Sequence, residues 1–87
     1  MLKLMIQISK EDAQLAELLD EVREYAQIYL FARQRHKGCE GTGELMTLKE
    51  EFRDLVDVVI KYCQEKKYIS HEVSYDIDGI ADAIVKE

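Results

Sequence analysis

Apolar residues recur at helical spacing along two long stretches of this chain, with polar positions filling the opposite faces. Residues 10–37 contain neither glycine nor proline, and at about 1.5 Å per residue such a run predicts a helix of roughly 40 Å. Ser9 precedes it as an N-cap, Glu11 and Asp12 stand in its first turn, and Arg33, Arg35, His36 and Lys37 near its last. Both charge clusters complement the helix dipole. Its apolar face is Leu15, Leu18, Leu19, Val22, Tyr25, Ala26, Tyr29 and Leu30. Thr47 and Glu50 have the spacing of a capping box, which opens a second helix over 48–66 with Leu48, Phe52, Leu55, Val56, Val59, Tyr62 and Cys63 on one face. A third helix over about 71–86 takes Ser70 or Ser74 as its cap and Val73, Ile77, Ile80, Ala81 and Ile84 as its stripe. Ahead of all three, Leu2, Leu4, Ile6 and Ile8 alternate with Lys3, Met5, Gln7 and Ser9. Period two over 1–8 predicts a short strand or extended arm, with residues 68–75 or a second copy as its candidate neighbour.

The expected fold is therefore all-α: one domain built on a long antiparallel helical hairpin, with a shorter third helix and a short N-terminal extended arm or strand. Residues 38–46, which hold three of the four glycines, read as the flexible turn of the hairpin. They lack the spacing of a phosphate-binding loop and follow no strand.

The stretch 25–32 departs from the one-sided pattern. Ile28 and Phe31 project from the side opposite Leu19 and Val22, so something beyond the chain's own core is expected to cover them. Burying two such side chains is worth on the order of 3–5 kcal/mol, and self-association supplies that cover most simply. A homo-oligomer is expected.

Charge narrows the class of partner. Eighteen acids against twelve bases give a net charge of −6 over 87 residues, the wrong sign for neutralising a phosphate backbone. Direct nucleic-acid binding is not expected. A protein with a basic surface, or divalent cations, suits that balance. Cys39 and Cys63 show no CxxC spacing and make no disulfide framework; Cys63 reads as a small buried hydrophobe and Cys39 as an exposed loop thiol. The opening residues are too short and too charged for a signal peptide or a membrane span, which implies a cytoplasmic protein without membrane contact. Asp76-Ile77-Asp78-Gly79 resembles the middle of a calcium loop, but the twelfth position would be Val85 where a bidentate Glu is required. His36 and His71 have no metal-ligand spacing, and His36 suits the end of the first helix.

Two groups of carboxylates carry the remaining chemistry. Glu17, Asp20, Glu21 and Glu24 crowd the first helix, and Glu50, Glu51, Asp54 and Asp57 the second. Helical projection places Glu51 within the apolar arc, Asp54 at its edge and Glu21 beside Leu18, Tyr25 and Ile28. A carboxylate there needs a partner or a cation. Glu21-Val22-Arg23-Glu24 followed by Glu51-Phe52-Arg53-Asp54 resembles the ExxE…ExxD pattern of MazG-like nucleoside triphosphate pyrophosphohydrolases, over about residues 15–66. The resemblance implies an all-helical oligomer in which Glu21, Glu24, Glu51 and Asp54 bind Mg²⁺ or Mn²⁺ and activate water against the α–β phosphate linkage.

Read without that resemblance, the residues favour a different class. A compact acidic helical protein with a second apolar patch and no complete catalytic constellation is expected to act by binding another protein, as an inhibitor, immunity factor or regulator. No cofactor is expected on this reading. Glu17, Glu21, Glu24, Ile28 and Phe31 would form the contact, the acids setting the encounter rate and the apolar pair the affinity. A purely structural oligomerisation module is the third reading.

Overall fold

Four helices make up the described part of the chain: α1 (Leu2–Ser9), α2 (Ala13–Arg35), α3 (Gly43–Glu65) and α4 (Ile77–Lys86). The structure, a computed structural model, describes residues 2–36 and 43–86. Cys39, Lys37 and the glycines at 38 and 41 lie outside those residues. No strand is present among the described residues.

The N-terminal segment is helical, which corrects the expected strand or arm over 1–8. Leu2, Met5, Ile6 and Ser9 stand at i, i+3, i+4 and i+7, a helical pattern concealed by the stronger-looking alternation of Leu2, Leu4, Ile6 and Ile8. Met5, placed on the polar side by that alternation, is the one buried residue of α1, whereas Leu4 faces solvent. Residues 68–75 form no partner strand. Tyr68, Ile69 and Tyr75 instead lay irregular chain against the core.

The long helix expected from residue 10 begins three residues later. Ser9 ends α1 rather than capping the next helix, its Oγ donating to Ile6 O at 2.5 Å. The backbone then turns through Lys10 and Glu11, and Asp12 adopts an extended conformation (φ −125°, ψ 100°) as the true N-cap of α2, accepting from Leu15 N at 3.2 Å. Asp and Ser cap about equally well, so sequence alone could not choose between them. At the far end, His36 closes α2, its N–H donating to Ala32 O at 2.9 Å.

Helix α3 begins a turn earlier than the capping-box pattern indicated. Leu45 is buried and extends the stripe of Phe52, Val56, Val59 and Cys63 backward by two turns, so Thr47 lies exposed within the helix. Helix α4 begins later than residue 71, because Asp76 provides the cap: its Oδ2 accepts from Gly79 N at 3.3 Å and its carbonyl from Ile80 N at 2.9 Å. Ser70 is used in a local turn, accepting from Glu72 N.

Helix α3 terminates in a Schellman arrangement. Lys67 takes φ 63°, and Tyr68 N reaches back to Cys63 O at 2.8 Å. A left-handed conformation costs an L-residue roughly 1–2 kcal/mol, which glycine avoids. Lys67→Gly is accordingly expected to stabilise the fold by about 0.5–1 kcal/mol, net of the extra chain entropy of glycine when unfolded. A urea midpoint that falls would show that the lysine side chain itself holds this turn.

Helices α2 and α3 run antiparallel. His36 and Glu44 meet at one end of the hairpin, and Asp12 and Tyr62 at the other. Phe52, fully buried, lies between them, stacked on Tyr29 at 5.8 Å and on Tyr25 at 6.3 Å between ring centroids. Helix α4 packs chiefly on α2, as does α1. The core is a single cluster that includes Leu15, Leu19, Val22, Ala26, Phe52, Val59 and Ile84, and α2 is the strut that every other helix uses.

Candidate protein-interaction surface

Because α1, α3 and α4 all lean on α2, they leave one of its flanks bare. At 100° per residue, Glu17, Glu21, Glu24, Ile28, Phe31 and Arg35 share an arc of about 80° on the side opposite Leu19 and Val22. All six are exposed, Ile28 at 53% and Phe31 at 65%. The five residues expected to form a partner contact thus lie in one row, acids toward the N-terminal end and apolar residues toward the C-terminal end. Glu17, Glu21 and Glu24 enter no hydrogen bond or ion pair among the described residues.

Beside the apolar end lies a groove of about 390 Å³, lined from α2 by Glu24, Gln27, Ile28, Phe31, Ala32 and Arg35 and from α3 by Glu44 and Leu48. Arg35 closes one end. Its guanidinium sits 5.7 Å from the Phe31 ring centroid and donates to Glu44 Oε1 at 2.8 Å. His36 Nε2 stands 3.0 Å from the other oxygen of Glu44. The cluster at the end of α2, read from sequence only as a helix-dipole complement, also joins α2 to the start of α3.

The four carboxylates of the ExxE…ExxD pattern are arranged otherwise than projection suggested. Glu21, Glu24, Glu51 and Asp54 are all exposed. Glu51 shares the side of α3 that carries the half-buried Leu48 and Leu55 and the exposed Val58. It accepts a hydrogen bond from Tyr25 Oη. Among the described residues, no three His, Cys, Asp or Glu side chains are grouped so as to hold a metal ion. Within one protomer these acids therefore do not fit the Mg²⁺ or Mn²⁺ site that the resemblance implies.

Carboxylates nevertheless have structural work here, and the sequence reading of the tyrosines as packing groups did not reveal it. All five tyrosine hydroxyls donate to a carboxylate: Tyr25 to Glu51, Tyr29 to Asp78 at 2.6 Å, Tyr62 and Tyr68 to Asp12 at 2.8 and 2.9 Å, and Tyr75 to Asp57. The Tyr62 hydroxyl bond, with Tyr68 and the backbone amide of Leu15 adding to it against a burial effect of opposite sign, lowers the Asp12 carboxyl below its ordinary value. Arg33 and Lys49 add charge around Asp78, at 3.2 and 3.6 Å, and Arg33 reaches Asp82 as well. These bonds join residues 18 to 56 positions apart in the chain, which is why no local motif announces them.

Compared with family models, curated proteins and solved structures, the chain matches none of them. Among the described residues no helix is long and apolar enough to cross a membrane.

Proposed function

We propose that this chain acts by binding another protein, through the bare flank of α2, in the manner of an inhibitor, immunity factor or small regulator. The observation that supports this reading is the exposed row itself: three acids without a hydrogen bond or ion pair among the described residues, continuous with the exposed Ile28 and Phe31. Exposed apolar side chains that form a contiguous patch with a polar rim mark an interaction surface. The acids attract a basic surface from a distance and so set the rate of encounter.

The reading is tested by titrating the purified basic partner, identified from neighbouring genes or by affinity capture, against the wild-type chain and against Glu17, Glu21 and Glu24 changed together to Gln. The triple variant is expected to associate at least tenfold more slowly at low salt, with the gap closing as salt rises. Unchanged association would remove the acidic row from the contact. Release of pyrophosphate from nucleotides in the presence of Mn²⁺, abolished by Glu51→Gln, would replace this reading with the pyrophosphohydrolase.

A further inference from the structure

The apolar half of the flank carries opposite charges at its two ends, Glu24 and Arg35. In α2 the groove is lined by Glu24, Gln27, Ile28, Phe31, Ala32 and Arg35, and these six fall into pairs about a point midway between Tyr29 and Leu30: 24 with 35, 27 with 32, 28 with 31. An antiparallel second copy of α2, crossing at that point, sets Phe31 of each chain against Ile28 of the other. The same crossing sets Glu24 against the partner's Arg35, and Arg35 against the partner's Glu24. Opposite charges meet at both ends of the seam and apolar residues meet at its centre. That is the arrangement a two-fold interface demands, in which residue i faces j and j faces i.

We infer that a second copy of this chain docks on the α2 flank, antiparallel about the Tyr29–Leu30 midpoint, with Phe31 seated between the partner's Ile28 and Leu48. The inference rests on the reading of this flank as an interaction surface and deepens it by naming what covers the apolar half. Arg35 is prepared for the role. It stacks over Phe31 and spends one donor on Glu44, leaving others of its five N–H groups for a carboxylate across the seam. Glu24 is prepared in the complementary way, exposed and without a hydrogen bond or ion pair among the described residues. Glu17 and Glu21 fall beyond the end of the partner's α2. Glu17 lies about 19 Å from the crossing point at 1.5 Å per residue.

Sedimentation of the full-length chain over a concentration series tests this. The wild type is expected to run as two chains, and Phe31→Asp as one chain with an unchanged helical circular-dichroism spectrum, since Phe31 is exposed within the single chain. The pairing register is tested by charge exchange. Glu24→Arg alone and Arg35→Glu alone are each expected to weaken the dimer on the order of tenfold, because two attractive pairs become repulsive. The two changes together are expected to recover most of the loss. A wild type that stays a single chain throughout, or a Phe31→Asp variant that sediments as the wild type does, overturns the pairing. A double exchange no tighter than its single parents overturns the antiparallel register. Failure here and failure of the binding reading are distinct: a single-chain protein whose basic partner is still lost with the three acids removed defeats only the dimer, and a dimer indifferent to those acids toward that partner defeats only the binding reading.

Discussion

Phe52→Ala is expected to destabilise the fold by about 3–5 kcal/mol, the range for removing a large aromatic side chain from a packed core. The ring is fully buried and stacked on both Tyr25 and Tyr29, so its loss opens a cavity and removes two aromatic contacts at once. The tyrosines cannot collapse into the space freely, because their hydroxyls are held by Glu51 and Asp78. In a domain of this size each kcal/mol moves the melting temperature by about 4–8 °C, which places the expected drop on the order of 20 °C. Denaturant unfolding and thermal melts check it together. A loss under about 1 kcal/mol would mean that α2 and α3 close over the gap, and that the tyrosine bonds hold the hairpin less firmly than described.

Asp78→Ala is expected to cost about 1–3 kcal/mol, chiefly because the Tyr29 hydroxyl, on a buried side chain, loses its acceptor. Arg33 and Lys49 lose their shared carboxylate as well, although both retain access to water and contribute less. Asp78→Asn, which preserves an acceptor, is expected to cost less than the alanine change. The pH dependence follows from the direction of the shift. Burial pushes the Asp78 carboxyl up, but the Tyr29 hydrogen bond and the charges of Lys49 and Arg33 outweigh it and hold the group below its ordinary value of 3.8. A carboxyl with a depressed folded pKa contributes stability above its ordinary value and loses that contribution as pH falls through the folded pKa. The stability gap between wild type and Asp78→Ala, measured by urea unfolding, is therefore expected to be constant above about pH 5 and to shrink below 3.8. A gap that persists at the lowest pH would mean that the loss comes from packing around α4 and not from the carboxylate.

The parts of the fold that could be read in advance are those where one periodicity stood alone. Leu15, Leu19, Val22, Ala26 and Tyr29 repeat at helical spacing with no competing pattern, and all are buried. The opening residues failed because Leu2, Leu4, Ile6 and Ile8 satisfy period two while Leu2, Met5, Ile6 and Ser9 satisfy the helical period. Over eight residues the two patterns differ mainly at Met5 and Leu4. The break at residues 10–12 failed for a related reason. It contains no glycine or proline, and only the capping competition between Ser9 and Asp12 marks it. The exposed flank was legible because Ile28 and Phe31 are apolar on the wrong side of a helix whose right side was already known. Glu51 sits among Leu48 and Leu55 as its periodicity indicates, and its partner is the Tyr25 hydroxyl of α2. The tyrosine–carboxylate bonds lay beyond local reading altogether, joining residues 18 to 56 positions apart.

Those five bonds give the acidic composition an internal purpose and also a shared weakness. Phenols at Tyr25, Tyr29, Tyr62 and Tyr75 are held up to about 12, burial leading at Tyr25, Tyr29 and Tyr75 and the Asp12 bond leading at Tyr62. A group with a raised folded pKa stabilises the fold below its ordinary value, here 10.0, and loses that contribution as pH climbs through the folded value. Two hydroxyls anchor Asp12 at the entry to α2, one binds α2 to α3, one binds α2 to α4, and the last fastens the irregular chain before α4. Strong alkali therefore weakens the seams of α2 with α3 and with α4 together, each lost proton setting two anions face to face.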